Sequence, residues 1–200
     1  TVDPLFKRDL SVMVMTDNAT VNAATRAKLD GWVKNGGTLL RFAGPNLAGN
    51  PNDSLLPVPL RDRERILGGG PGGPQSWDKT EGLMPFKPSS PFYGIPIPKD
   101  VQIKRQVLAQ PVPDLDSHTW ASLEDGTPLV TAARRGKGWI VLVHTTANPE
   151  WSNLSLNGSL FIDMLRAVVA QSQASNDGPD TGGSMPAWKT LNGQGRLGAP

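Results

Sequence analysis

Hydrophobic and polar residues follow a strand–helix–strand pattern near the start of the chain. The apolar run from Leu10 to Met15 ends at polar residues, which is typical of a strand covered on both faces. Asn22 then offers a helix N-cap, and residues 23 to 34 place Ala, Leu, Trp and Val at helical spacing. A second apolar run, Thr38 to Ala43, ends at Gly44-Pro45. These short connections predict a right-handed βαβ unit with parallel strands.

The pattern changes to a period of two in the second half of the chain. It begins with alternation from Val101 to Val107, and the strings HTWASL, PLVTAA and WIVLVH follow as further strands. Asp125-Gly126 and the string RRGKG are typical of the tight turns between such strands. We therefore predict an antiparallel meander that joins the parallel strands in one mixed sheet.

Helical spacing returns near the end of the chain and suggests a domain boundary. Apolar residues recur from Asn157 to Ala170, which predicts a helix. We interpret residues 1 to 171 as one α/β domain and residues 172 to 200 as a flexible linker or a tail draped on the surface. Within the domain, RDRERIL predicts a short strand or turn, GGGPGGPQ a flexible loop, and Pro85 to Pro98 an extended surface segment.

Composition narrows the possible chemistry. Two hundred residues suit one domain, and a net charge of +2 gives no reason to expect nucleic acid as a partner. The chain has no cysteine, which excludes disulfides and thiolate nucleophiles, and its two histidines lack metal-ligand spacing. We therefore predict no metal and no cofactor. No stretch is apolar enough to span a bilayer, and the start at Thr1 suggests a piece of a longer protein.

Four strings carry a resemblance to one group of bacterial proteins. They are LDGWVKNGGTLLRFAGPNLA, PLRDRERILGG, DGTPLVTAARRGKGWIVLVHTTANPEWSNL and FIDMLRAVVA, which together span residues 29 to 170. In this order they resemble the middle soluble region of aerotolerance-regulator-like (BatA-type) proteins. Those are multi-domain inner-membrane proteins with N-terminal transmembrane helices and a C-terminal domain of unknown function. The resemblance implies a domain facing the periplasm, whose partners are other domains of its own protein or other envelope proteins.

The resemblance also implies a fold and a lost activity. The middle region of these proteins resembles the class I glutamine amidotransferase-like fold, a flavodoxin-like three-layer α/β sandwich. In active members a nucleophilic Cys directly follows a strand like Thr38 to Ala43, and a His-Pro-Glu string comes later. Here Ala43 stands at the bend and the later string reads Asn148-Pro149-Glu150. Acyl transfer needs a nucleophile beside a base, so the resemblance implies a noncatalytic domain.

Polar residues after the parallel strands form the candidate ligand site. Ligands of open α/β sheets bind outside the carboxyl ends of the strands, where Asp17-Asn18, Arg41 to Asn46 and His144 to Trp151 are expected to meet. Arg41 suits an anion and His144 can titrate. The remaining candidate ligand-binding residues are Asn46, Asn148, Glu150 and Trp151. The structural alternative is an ion pair between Arg41 and Glu150, with His144 hydrogen-bonded at the end of its strand.

Three functions stay open at this point. The first is a noncatalytic module for protein interaction or envelope assembly. The second is a small-ligand sensor that uses the cleft at the strand ends. The third is a hydrolase with a Ser or Asp nucleophile, which requires such a side chain within reach of His144.

Overall fold

A computed structural model describes residues 4–8, 10–19, 21–50, 53–67, 80–176, 190–191 and 197–198. The strands are β1 (Val12–Met15), β2 (Thr38–Phe42), β3 (Leu60–Ile66), β4 (Arg105–Ala109), β5 (Thr119–Ser122), β6 (Pro128–Arg135), β7 (Gly138–Val143), β8 (Thr190–Leu191) and β9 (Leu197–Gly198). The α-helices are α1 (Ala23–Lys34), α2 (Pro45–Ala48), α3 (Leu115–His118) and α4 (Gly158–Asn176). Single 3-10 turns cover Leu5–Lys7 and Leu154–Leu156.

Five strands form one mixed sheet of parallel and antiparallel strands. The strand order is β1-β2-β7-β6-β5. β1 pairs with β2 and β2 with β7 in parallel, with Leu40 aligned to Val14 on one side and to Val141 on the other. β7, β6 and β5 form the antiparallel meander. The general α/β class and the mixed sheet are therefore confirmed.

The alternating segment after Val101 does not join this sheet, contrary to the prediction of one sheet. Its strand, β4, begins at Arg105 and pairs with β3 in a separate two-stranded antiparallel sheet. The amide of Val107 donates to the carbonyl of His144, so β4 passes over the segment that follows β7. Alternation identifies a strand, but it contains no information about which strand is the partner.

The two faces of the five-stranded sheet are covered by different helices. Leu29 and Val33 of α1 pack on the face that carries Leu39 and Ile140. Three residues of α4, Leu160, Met164 and Val168, pack on the opposite face. Consecutive residues of a strand point to opposite faces, so the uniformly apolar β2 serves both layers.

The proline-rich segment Pro85 to Pro98 completes the core beside α4. It contributes no strand to either sheet. Phe92 is only 1% exposed, and its ring meets that of Trp120 edge-on at 5.8 Å. The segment thus covers the edge of the core instead of lying only along the surface.

Helix α4 extends past the predicted domain boundary at residue 171. It ends at Asn176, and the buried Ser172 hydroxyl donates to the carbonyl of Ser11 at 3.0 Å. Beyond residue 176 only the pairing of β8 with β9 is described. The predicted glycine-rich loop and most of the predicted tail lie outside the described residues. None of the helices in the described part of the chain has the length and apolar character needed to cross a bilayer.

Candidate functional site

The carboxyl ends of β1, β2 and β7 lie at one edge of the sheet because the three strands are parallel. Asp17 follows β1, Ala43 follows β2, and His144 follows β7. The β3–β4 sheet packs beside this edge, and Leu60 and Val107 share a buried cluster with Ala43. The edge is therefore partly covered by the chain itself.

The bend after β2 is closed by the carboxylate of Asp17. Gly44 is the N-cap of the short helix α2 but has no side chain to accept from its amides. Asp17 supplies that acceptor. Its Oδ1 accepts from the amides of Gly44 at 3.0 Å and Leu47 at 2.9 Å, and its Oδ2 accepts from the amide and side chain of Asn46 at 3.0 and 3.1 Å. The bend is thus bonded to the end of β1.

Ala43 stands directly at this bend and is completely buried. Its amide donates to the carbonyl of Val143 at 2.8 Å, which continues the pairing of β2 with β7. A nucleophile elbow holds its residue in a strained turn. Among the described residues only glycines have a positive φ, so Ala43 lacks that strain.

Arg41 belongs to a partly buried ionic triad with Asp53 and Arg26. Its Nη1 lies 3.1 Å from Oδ1 of Asp53 and donates to the carbonyl of Leu55 at 2.7 Å. Nη1 of Arg26 lies 2.9 Å from the other carboxylate oxygen of Asp53. The carboxylate partner of Arg41 within the described residues is thus Asp53, whereas the sequence suggested Glu150.

Burial affects the pKa values of both Arg41 and Asp53. It lowers the pKa of Arg41, although the Asp53 carboxylate partly offsets this effect. Burial also raises the pKa of Asp53, but the Leu55 amide and the two guanidinium groups outweigh it, so the net pKa lies below its ordinary value. Asp53 is therefore ionised at neutral pH, and Arg41 stays charged as arginine does in proteins.

Arg41 and Asn46 also border an open cavity of about 170 Å³, the strand-end cavity. Its lining consists of Asp17, Ala19, Val21, Arg26, Arg41, Asn46, Leu47, Asn50 and Asp53. Two of the predicted ligand-binding residues thus meet here. Sequence reasoning missed Arg26, Asn50 and Asp53, because the candidate residues were taken from the strand ends, whereas Arg26 lies within α1 and the other two lie in an irregular loop.

His144 is fully buried and does not border the strand-end cavity. Its Nδ1 lies 2.7 Å from the carbonyl of Val107, and its Nε2 lies 2.8 Å from Oγ1 of Thr131. A carbonyl accepts only, so Nδ1 carries the proton and Nε2 accepts from the hydroxyl. Burial lowers the pKa of His144 to about 4, which keeps the imidazole neutral at pH 7.

The other three predicted residues form the segment after β7 and also lie outside the cavity lining. Asn148 and Glu150 are exposed, and the side chain of Asn148 accepts from the amide of Glu150 at 2.9 Å. Trp151 is 4% exposed and packs with Ala43, and its carbonyl accepts from the amides of Lys104 and Arg105. These contacts fix the segment against β4.

The described residues contain no group of three or more His, Asp or Glu side chains that could hold a metal ion. At the strand ends, Asp17 accepts from backbone amides and Arg41 pairs with Asp53.

Comparisons with known proteins show likeness in fold alone. No family model matches the chain, and no curated protein matches it in sequence. Among solved structures it is similar to the cytoplasmic protein STM3548 from Salmonella typhimurium, with a TM-score of 0.61 and 14% identity over 86% of this chain and 74% of that one. The cytoplasmic protein STM1381 from Salmonella typhimurium LT2 gives a TM-score of 0.57 and 13% identity over 80% of this chain and 71% of that one.

A cold-adapted β-galactosidase from Rahnella sp. R3 is also similar. Its TM-score is 0.53 and its identity 11%, over 82% of this chain but only 23% of the enzyme. The arrangement of strands and helices thus recurs both in separate proteins and within a much larger enzyme.

Proposed function

We propose that this chain is a noncatalytic domain of the class I glutamine amidotransferase-like, flavodoxin-like type that acts by binding other proteins. In this proposal it belongs to a BatA-type protein of the bacterial inner membrane and faces the periplasm. Its partners are other domains of the same protein or envelope proteins. The order of the four sequence strings supports the family, and the mixed sheet with helices on both faces is compatible with the fold.

The observation that carries the proposal is the carboxylate of Asp17 at the bend after β2. An acyl-transfer enzyme needs a nucleophile at such a bend and free amides that stabilise the oxyanion. Here Ala43 provides no nucleophile, and the amides of Gly44 and Leu47 already donate to Asp17. A negative charge at this position also repels a developing oxyanion. The bend therefore supports the fold rather than a reaction.

The buried pair of His144 and Thr131 argues in the same direction. The two side chains have the spacing of a base and a hydroxyl nucleophile, which is the feature required by a hydrolase. Both are 0% exposed, so a substrate carbonyl has no access to the hydroxyl. The hydrogen bond from the imidazole to the carbonyl of Val107 connects β4 to the end of β7, which is a structural role.

A glutamine hydrolysis assay tests the absence of catalysis. Purified chain is incubated with glutamine and ammonia release is measured, with the His144→Gln and Asp17→Asn variants in parallel. We expect the three proteins to match the buffer background. Ammonia release that disappears in either variant contradicts the proposal.

Photo-crosslinking in the parent membrane protein tests the binding role. A photoreactive amino acid is placed at Tyr93, which is 63% exposed, and at Leu156, which is 68% exposed. We expect crosslinks to another domain or to an envelope protein from at least one position. The neighbouring Phe92 is buried and serves as the control, since a crosslinker there reaches only the domain itself. Failure of crosslinking from all exposed positions tested argues against an interaction module.

A further inference from the structure

We propose that the strand-end cavity binds a small monocarboxylate with a short apolar chain. This inference does not depend on the proposed role in protein binding. It rests on the charge of the ionic triad, on the hydrogen-bonding groups that the cavity leaves available, and on its size.

The triad of Arg26, Asp53 and Arg41 carries one positive charge in excess. Asp53 is the shared carboxylate, at 2.9 Å from Arg26 and 3.1 Å from Arg41. Its side chain is 5% exposed and that of Arg41 is 8% exposed. At low exposure charges are poorly screened by water, so the unbalanced guanidinium favours an anion nearby. The side chain of Arg26 is 30% exposed, which leaves it accessible from the cavity.

The carboxylates of the cavity have little capacity left for a ligand. An ionised carboxylate offers about four acceptor sites. Asp17 uses its oxygens for Gly44, Leu47 and both donors of Asn46. Asp53 accepts from the Leu55 amide in addition to the two arginines. A ligand therefore meets mainly N–H donors, which bind an acceptor such as a carboxylate.

Asp17 offsets the positive charge of the arginines only in part. Burial lowers the pKa of Arg41, and the carboxylate of Asp17 offsets this effect less than that of Asp53 does. Asp17 also accepts hydrogen bonds from the backbone amides at the start of α2. Asp53, by contrast, shares one negative charge between two full positive charges. The positive end of the cavity is therefore at the arginines.

The size and lining of the strand-end cavity determine which chain can be attached to the carboxylate of the ligand. A cavity of about 150 Å³ holds benzene, so the strand-end cavity of about 170 Å³ accommodates a shorter molecule such as propionate. Val21 and Leu47 supply apolar surface for its chain. Arginine binds carboxylates in a planar, two-pronged geometry, which suits this group better than a spherical anion.

The test is an NMR titration of the isotope-labelled 200-residue chain with sodium propionate. Propionamide, a neutral molecule of the same shape, and sodium chloride at equal ionic strength are titrated in parallel. We expect saturable shifts at the amides of Asn46, Leu47 and Asn50 with propionate only. Equal responses to propionate and propionamide, or no saturable response to propionate, overturn the proposal.

Two variants and a matched control locate the binding. Arg26→Gln removes the accessible charge and is expected to weaken propionate binding about ten- to hundredfold, the effect of one charge-assisted hydrogen bond. Lys34→Gln removes the same charge from the same helix outside the cavity lining and is expected to leave affinity unchanged. Asn50→Trp places a large indole in the cavity from an exposed position without altering its charge, and we expect it to abolish binding. Equal affinity in all four proteins contradicts the site.

Discussion

The Nε2 atom of His144 lies 2.8 Å from Oγ1 of Thr131, and both side chains are completely buried. In an open cleft this spacing would mark a base beside a nucleophile. Here the imidazole is held at its other nitrogen by the carbonyl of Val107, so it bridges the two sheets. The same His–Thr distance would suit catalysis if a substrate could reach it, but in this buried position it stabilises the packing of the two sheets.

Protonation of His144 is expected to destabilise the fold in acid. Its pKa is lowered from 6.5 to about 4 by burial, so between these values the unfolded chain binds a proton that the folded chain does not. The free energy of unfolding should be fully retained above pH 6.5 and fall as the pH drops toward 4. At 1.36 kcal/mol per pH unit the loss reaches about 3 kcal/mol.

Urea denaturation from pH about 7 to about 4 measures this loss. His144→Gln should remove the slope in this window, whereas His118→Gln should keep it. The Asp30, Asp53 and Asp125 carboxyls have lowered pKa values, so their contributions to stability are lost only as the pH falls below about 5, and the slope between pH about 6.5 and about 5 is the one assigned to His144. A slope that survives in His144→Gln contradicts the assignment.

The shared carboxylate of Asp53 is expected to be critical for stability. Asp53→Asn leaves the buried guanidinium of Arg41 without its counter-charge, and removing one partner of a buried ion pair costs on the order of 3 kcal/mol. Urea denaturation at neutral pH measures the change. The matched control is Asp163→Asn, which breaks an exposed pair with Arg166 and should change stability by less than about 0.5 kcal/mol. Equal effects of the two variants would mean that the buried ion pair stabilises the fold no more than the exposed one.

The βαβ unit and the meander were predictable because their signals are local. The apolar run of β2 and the turn at Asp125-Gly126 identify elements within a few neighbouring residues. The pairing of β3 with β4 was not predictable, since some forty residues separate them and alternation does not identify the partner strand.

The candidate site was predictable in part. Arg41 and Asn46 follow from their position at the strand ends, whereas Asp53 lies in a loop without periodicity, and only the folded chain brings it to Arg41.

Gly44 is expected to tolerate no side chain, because the bend after β2 is too close to its neighbours. A Cβ atom there would lie 2.6 Å from Oδ2 of Asp17 and 2.7 Å from Cγ2 of Thr146. Gly44→Ala should therefore lower the free energy of unfolding by about 1 to 3 kcal/mol, the usual range for overpacking. Thermal and urea unfolding measure the loss.

The glycine control has the opposite sign. Gly31 lies within α1, and a Cβ atom there meets nothing within 4 Å. Gly31→Ala should raise stability by up to about 1 kcal/mol, because alanine is the better helix former. If Gly44→Ala raised stability as Gly31→Ala does, or left it unchanged, the close approach at Gly44 would not be a constraint.

Asp17 is expected to hold α2 in place through its two acceptor oxygens. Asp17→Asn replaces one oxygen by an NH₂ group, which can only donate, and both oxygens now face backbone donors. One amide therefore loses its partner, and the free energy of unfolding should fall by about 1 to 3 kcal/mol. Hydrogen exchange should also become faster at the amides of Gly44 and Leu47, which the mutation affects directly. Asp116→Asn, at a side chain that is 86% exposed, is the control and should leave both measurements unchanged. Protection at Gly44 and Leu47 that persists in Asp17→Asn would mean that another group closes the bend, and the carboxylate would lose the role on which the proposal of a noncatalytic domain depends.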